Sequence, residues 1–255
     1  MTDSKVFEPE NQLEVSLVEA TVNVSHRPQF YRDILDADVF FINSLVDESH
    51  PPAPDRSRII SKGESVLFFT MDHEGKRYIP FFSSLKRIKA YIPKTVHFTK
   101  MKTRYLFDMT KGAEFFLNPG SPYGKMFLKE EIAGLLTNTL GKMNPYVYKK
   151  ETEVLLRKPD VYPKAVVSAL YHLFEKTPSV EKAYVAEFFD PRRDKKPHPI
   201  IAIRTTGDWA ELNASITIVL GALDPRETVD IFQMTGQKPM EAFFMRKCKP
   251  FYEAE

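Results

Sequence analysis

Between Glu153 and Met234 the hydrophobic period switches repeatedly, and that succession constrains the fold more than any other feature of the chain. Glu153 to Arg157 reads as a short strand. Pro163 to Lys176 places Val166, Val167, Leu170, Leu173 and Phe174 on one helical face, and Val180 to Phe189 returns to strand character. The polar stretch DPRRDKKPHP then leads into a strand at Ile200 to Thr205, a helix at Trp209 to Leu223 and a strand at Val229 to Met234. The order β-α-β-β-α-β predicts a ferredoxin-like, split-βαβ sandwich with both helices on one face of an antiparallel sheet. A last helix, Met240 to Lys247, and the tail Pro250-Phe251-Tyr252 complete this half.

The first half alternates differently. Leu13, Leu17, Val18 and Val22 recur at helical spacing, and a second short helix follows Pro28 with Phe30, Tyr31, Ile34 and Leu35. Val39 to Ile42 is a buried strand, and ESHPPAPDRSR is a loop because its prolines block regular structure. Val66 to Thr70 and Tyr78 to Phe82 flank MDHEGKR as a β-hairpin, with Pro80 placing the second strand at an edge or a bulge. A helix from Ser84 to Tyr91, a strand around Val96 to Phe98, a helix from Thr103 to Thr110 and a strand at Glu114 to Leu117 come next. The helix KEEIAGLLTNTL follows Leu128. GKMNPYVYKKETE has the Gly, Asn-Pro and charge content of a linker. The expected fold is therefore α+β in two domains, 1–142 and 143–255, each a mixed or antiparallel sheet covered by helices. No repeat of fixed period or low-complexity tract is present.

At 43% hydrophobic and 27% charged, the chain has a globular composition, and its 36 basic and 34 acidic residues nearly cancel. No whole-molecule field steers it toward nucleic acid. Cys248 is its only cysteine, which excludes an internal disulfide framework and fits a reducing, cytoplasmic setting. The start, MTDSKVFEPENQLE, lacks the pattern of a signal peptide, and no apolar run spans a bilayer, so no membrane role is expected.

Motifs with chemistry are sparse. GSPYGKM offers only G-x-x-x-G-K, short of a P-loop and lacking its hydroxyl residue, so no phosphate site is read there. Asn118-Pro119-Gly120-Ser121 instead has the proline and glycine positions of a type II turn. The six histidines show no metal-ligand spacing, and no nucleophile elbow exists. No catalytic, cofactor-binding or metal-binding residue is assigned, no cofactor is expected, and the chain is read as non-enzymatic. Two surfaces are candidates. One is the loop Leu117 to Lys125, presenting Asn118, Ser121, Tyr123 and Lys125 to a partner. The other is the acid-free segment with Lys86, Arg87, Lys89, Lys94, Lys100, Lys102 and Arg104, interleaved with Tyr91, His97 and Phe98, a composition that suits single-stranded nucleic acid. Solvent-facing lysines offset by acids from elsewhere account for that segment better.

Taken together, SHRPQFYRDIL, YIPFFSSL, TRYLFDMTKGAEFFLNPGSPYGKMFLKEEIAGLL, VEKAYVAEF, TVDIFQM and KCKPFYE resemble the SseB family, the enhanced serine sensitivity proteins of bacteria, over nearly the whole chain. That resemblance implies an N-terminal and a C-terminal SseB domain and brings no catalytic residues or cofactor. With the cytoplasmic setting already read from the sequence, it implies a protein that works by binding another protein, in amino-acid metabolism or stress response. Sensing of a small ligand such as an amino acid, and nucleic-acid binding through Lys86 to Arg104, stay open as alternatives.

Overall fold

The computed structural model describes residues 7–45, 68–94, 96–141, 152–223, 228–237 and 239–254. The loop ESHPPAPDRSR, residues 66 and 67 of the first expected hairpin strand, and most of the expected linker lie outside the described residues. The chain forms two units, one taking in residues up to Val22 and Gln29–Asn138, the other Asn23–Pro28 and everything from Thr139 onward. Both are α+β.

The first unit contains α1 (Gln12–Val22), α2 (Arg27–Asp36), β1 (Asp38–Leu45), β2 (Met71–His73), β3 (Lys76–Phe82), α3 (Leu85–Tyr91), β4 (Val96–Lys102), α4 (Thr103–Met109), β5 (Phe115–Leu117), β6 (Lys125–Phe127) and α5 (Lys129–Leu136). Its mixed sheet runs β4-β1-β3-β5-β6, with β2 also on β3 and only the β3–β5 pair parallel. The β2–β3 hairpin is tighter than the sequence suggests. Glu74 and Gly75 both take left-handed φ, 50° and 77°, so a two-residue turn of the primed kind suffices and the strands extend into MDH and KR.

Pro80 lies on an internal strand, contrary to the edge or bulge expected of it. β3 pairs with β2 through Tyr78 and with β1 from Phe81 onward. Ile79 donates to Glu114 O across to β5, so by alternation the missing N–H of Pro80 faces the gap between β2 and β1, where no ladder bond falls. Residues 78–82 are all buried because both sheet faces are covered. On one, Phe30, Phe81, Phe107, Phe115 and Phe127 meet with ring centroids 5.1–6.3 Å apart, contacts worth roughly 0.5–1.5 kcal/mol each beyond area burial. On the other, Ile42 and Phe82 pack with Ile88 of α3.

The second unit contains β7 (Leu155–Arg157), α6 (Lys164–Phe174), β8 (Val180–Phe189), β9 (His198–Thr205), α7 (Trp209–Gly221), β10 (Asp230–Met234), α8 (Glu241–Lys247) and β11 (Tyr252–Glu253). Its strands run β10-β9-β8, and the far edge of β8 is shared by β7 and β11. The split-βαβ arrangement expected from element order is not what the sheet shows. β9 and β10, joined by α7, are parallel direct neighbours with no strand between them, and β7, β8 and β9 are antiparallel in sequential order. Helices α6 and α7 do share one face, closing over Ala183, Val185, Ile201 and Ile203. Helix α8 covers the other face through Phe244 against Tyr184 and Phe232. The Tyr252 hydroxyl donates to Phe174 O at 3.0 Å, fastening β11 beside α6. Val24, in the short helical turn Val24–His26 capped by the Asn23 side chain, packs against this same core.

Candidate functional site

Leu117 to Lys125 is the connection of a β-hairpin, since Leu117 pairs with Lys125 and β6 follows before α5 begins. The sequence pattern, read as strand, turn, then helix, misses that three-residue strand. The turn itself matches the expectation. Ser121 N donates to Asn118 O at 3.1 Å, and Gly120 at i+2 has φ +75°, as a type II turn requires. Gly124 is needed for another reason. A Cβ there would lie 2.9 Å from Leu117 O and 3.0 Å from Asn118 O, so only glycine lets the returning strand pass.

Asn118, expected on a partner-facing surface, is fully buried and turns inward. Its φ of 50° is tolerated by an asparagine. Its Oδ1 accepts from Ser83 N at 3.0 Å, its Nδ2 donates to Ser83 Oγ at 2.8 Å, and its backbone N donates to Phe81 O. Ser83 Oγ in turn donates to Glu14 Oε1 at 2.5 Å. Glu14, with no exposed surface, also accepts from Ser84 Oγ, from Arg87 Nε at 3.0 Å and Nη2 at 2.6 Å, and from Glu10 N at 2.9 Å. Burial pushes its carboxyl upward in pKa, but the bonds from Arg87, Ser83 and the Glu10 amide outweigh that and hold it below the usual carboxylate value. An ion pair with every oxygen satisfied can be carried inside a fold. Removal of one partner leaves a buried charge, a loss of about 3–5 kcal/mol.

The other loop residues are also tied to the fold. Tyr123 meets the Phe7 ring edge-on at 4.8 Å, and the Arg87 guanidinium lies over Phe7, 3.9 Å from its centroid. Lys125 pairs with Glu131 at 2.9 Å, lies over the rings of Tyr31 and Phe127, and shares Glu131 with the Tyr31 hydroxyl, which donates at 2.6 Å. Ser121 Oγ accepts weakly from Tyr123 N at 3.4 Å.

The basic segment is distributed over α3, β4 and α4. Lys86 pairs with Glu10, Arg87 with Glu14, Lys100 and Lys102 with Asp38, and Arg104 with Asp36. The acids that offset these charges come from the first forty residues. Lys89 and Lys94 stand exposed.

In the second unit a polar cluster gathers where β8 ends and β9 and β10 begin. His198, buried, places Nε2 3.2 Å from Asp230 Oδ2 and Nδ1 3.8 Å from Asp194 Oδ2. Arg193 bonds Asp194 at 2.7 Å and Asp230 at 2.6 Å. Asp190 closes the loop through its own amide to Asp194 and its carboxylate to Arg192 N. The bond to Asp230 raises the pKa of His198 against the lowering by burial. Burial pushes Asp230 and Asp194 upward, but His198 and Arg193 hold Asp230 low, and Arg193 with the Asp190 amide holds Asp194 low. Elsewhere in this unit Glu241 is buried and accepts from the amides of Thr235 and Gly236 at 2.8 and 2.7 Å. The Cys248 thiol is pushed up by burial, with a small opposing effect of Lys158, which favours the unreactive form. Among the described residues, no group of three or more His, Cys, Asp or Glu side chains is placed to hold a metal ion, and no helix is long and apolar enough to cross a membrane.

Sequence reasoning missed Glu14, His198, Asp230 and Glu241. One signal for Glu14 was present. Asn11-Gln12-Leu13-Glu14 has capping-box spacing, and Asn11 Oδ1 accepts from Glu14 N at 3.0 Å, while the Glu14 carboxylate reaches back to Glu10 N.

An α+β chain of two units, each built around a sheet and braced by buried ionic clusters, is the class of protein that this structure defines. Comparison with known families assigns both halves. Residues 13–134 match the SseB protein N-terminal domain and residues 148–254 the SseB protein C-terminal domain. The chain is 27% identical to Protein SseB of Escherichia coli (strain K12) and to Protein SseB of Shigella flexneri, over 249 residues in each case, covering 96% of this chain and 93% of the relative. No solved structure matches it. The chain belongs to the SseB family.

Proposed function

We propose that this chain is a non-enzymatic binding protein that works in the cytoplasm by contact with another protein, in amino-acid metabolism or stress response. What supports this reading is an outward stripe on α4. Tyr105 is 67% exposed and Met109, one turn later, 48%, while Leu106 and Phe107 of the same helix are buried in the core. Phe98 of the edge strand β4 is also exposed, but on the sheet face of Phe40 and Ile42, opposite that covered by α4, and is not part of this stripe. Two large apolar side chains exposed one turn apart on the outer face of one helix suit a protein-binding face, whereas scattered single ones do not. Aromatic and methionine side chains are also those that interfaces favour.

The test is affinity capture from a lysate with the full chain and with a Tyr105→Ser/Met109→Ser variant, with and without nuclease. A protein retained stoichiometrically by the wild type, resistant to nuclease and lost with the variant, is expected. Equal recovery by both proteins would sink the assignment of this face. Nuclease-sensitive recovery only would turn attention to Lys89 and Lys94.

A further inference from the structure

The first described residues of the chain lie on the first unit as a bound peptide would. Phe7 rests against both the Arg87 guanidinium and the Tyr123 ring, 3.9 and 4.8 Å from its ring centroid. The Glu8 carbonyl accepts from Arg87 Nη2 at 2.7 Å. The Glu10 carboxylate meets Lys86 Nζ at 3.3 Å. Only then does the chain enter α1, where Asn11 Nδ2 donates to Ser83 O at 2.9 Å. The side chains that receive Phe7, Glu8 and Glu10 belong to α3 and the β5–β6 connection, and the Glu10 amide also donates to Glu14. Arg87 is held by Glu14, and Tyr123 rides on a hairpin connection fixed through Asn118. An aromatic contact, a donor to a backbone carbonyl and a cation at a fixed distance are the parts of a short-peptide reader.

We propose that this groove is a docking site for an extended segment of another protein, one with an aromatic residue followed three positions later by an acid, and that Phe7–Glu10 occupies it in the absence of that partner. The occupant's chemistry is argued from the chain's own: Phe7 matches Arg87 and Tyr123, and Glu10 the Lys86 charge. A tethered segment competes at an effective concentration in the millimolar range, so the groove responds only to a segment that binds well enough to displace it. The proposal uses residues other than the α4 stripe and stands or falls separately from it.

The test uses a fluorescent synthetic peptide, Phe-Glu-Pro-Glu-Asn, titrated into the full-length wild type and a Phe7→Ala/Glu10→Ala variant. The variant is expected to bind at least about tenfold more tightly, because its own segment no longer competes. A scrambled peptide should bind weakly, and adding Lys86→Ala and Tyr123→Ala should abolish binding. Arg87 is left intact because Glu14 depends on it. No binding to a Phe7→Ala/Glu10→Ala chain that melts like a folded protein, or equal binding to variant and wild type, overturns the proposal. Sedimentation decides the source. A monomeric wild type fits a foreign segment, whereas self-association lost in the double variant gives the groove to a second copy and overturns the assignment to another protein.

Discussion

Glu14 in the first unit and Asp230 in the second are acids drawn into the fold and held by an arginine, and they differ in what else holds them. Glu14 has Arg87, two serine hydroxyls and an amide, none of which changes charge near neutral pH. Asp230 has Arg193 and His198. The first cluster is thus a fixed brace that fails only in acid. The second has a titrating member and can weaken on both sides of neutrality.

Arg87→Ala should break the comparison most sharply. It leaves the Glu14 carboxylate buried without its cation, and the first unit should lose about 3–5 kcal/mol. Hydrogen exchange followed by segment should then accelerate in α1 and α3 and leave β8 and β9 unchanged. Unchanged protection in α1 would show that Glu14 does not brace this unit.

His198→Ala should have a smaller effect in the other unit. It removes one partner of a half-buried acid that keeps Arg193, and about 1–3 kcal/mol is expected for a lost buried hydrogen bond to a charged group. Exchange should rise in β9 and β10 alone.

The pH dependence separates the units without mutation. His198 has a raised pKa in the fold, so its contribution is fully present below the unfolded value near 6.5 and fades as pH rises through the raised one. Protection of β9 and β10 should fall as pH rises through that interval, and that of α1 should not. His198→Gln should flatten the slope. In acid the order changes, because Glu14, Asp230 and Asp194 all have lowered pKa values and their contributions disappear as pH falls through them. A flat profile in the wild type as pH rises from the unfolded histidine value would remove the contrast.

The smallest effect should come from Lys125→Ala. Its pair with Glu131 is partly exposed, and such pairs are worth about 0.2–1 kcal/mol. A denaturant melt should shift only slightly, with no change in slope.

Periodicity in the sequence exposed the strands and helices that carry long apolar stripes, such as α6 and β8, because local spacing alone decides which face they bury. β6 escaped because Lys125-Met126-Phe127 is too short to show alternation beside a glycine turn. The sheet order of the second unit escaped because element order does not say which strands become neighbours. The type II turn at Asn118 was legible, since proline and glycine act through their own backbones. The inward aim of the Asn118 side chain was not, because its partner Ser83 is distant in sequence. The same holds for Glu14 with Arg87 and for Asp230 with Arg193. Only the capping box at Asn11 gave a local hint of where Glu14 would sit.

The segment Asn23–Pro28 has a practical consequence. It belongs to the second unit although it lies between two helices of the first, and Val24 is part of the packing around α6 and β8. A gene fragment beginning at residue 143 therefore encodes an incomplete hydrophobic core. Its product would leave uncovered the apolar surface that Val24 packs against, and adding a peptide spanning residues 20–30 is the direct way to restore it.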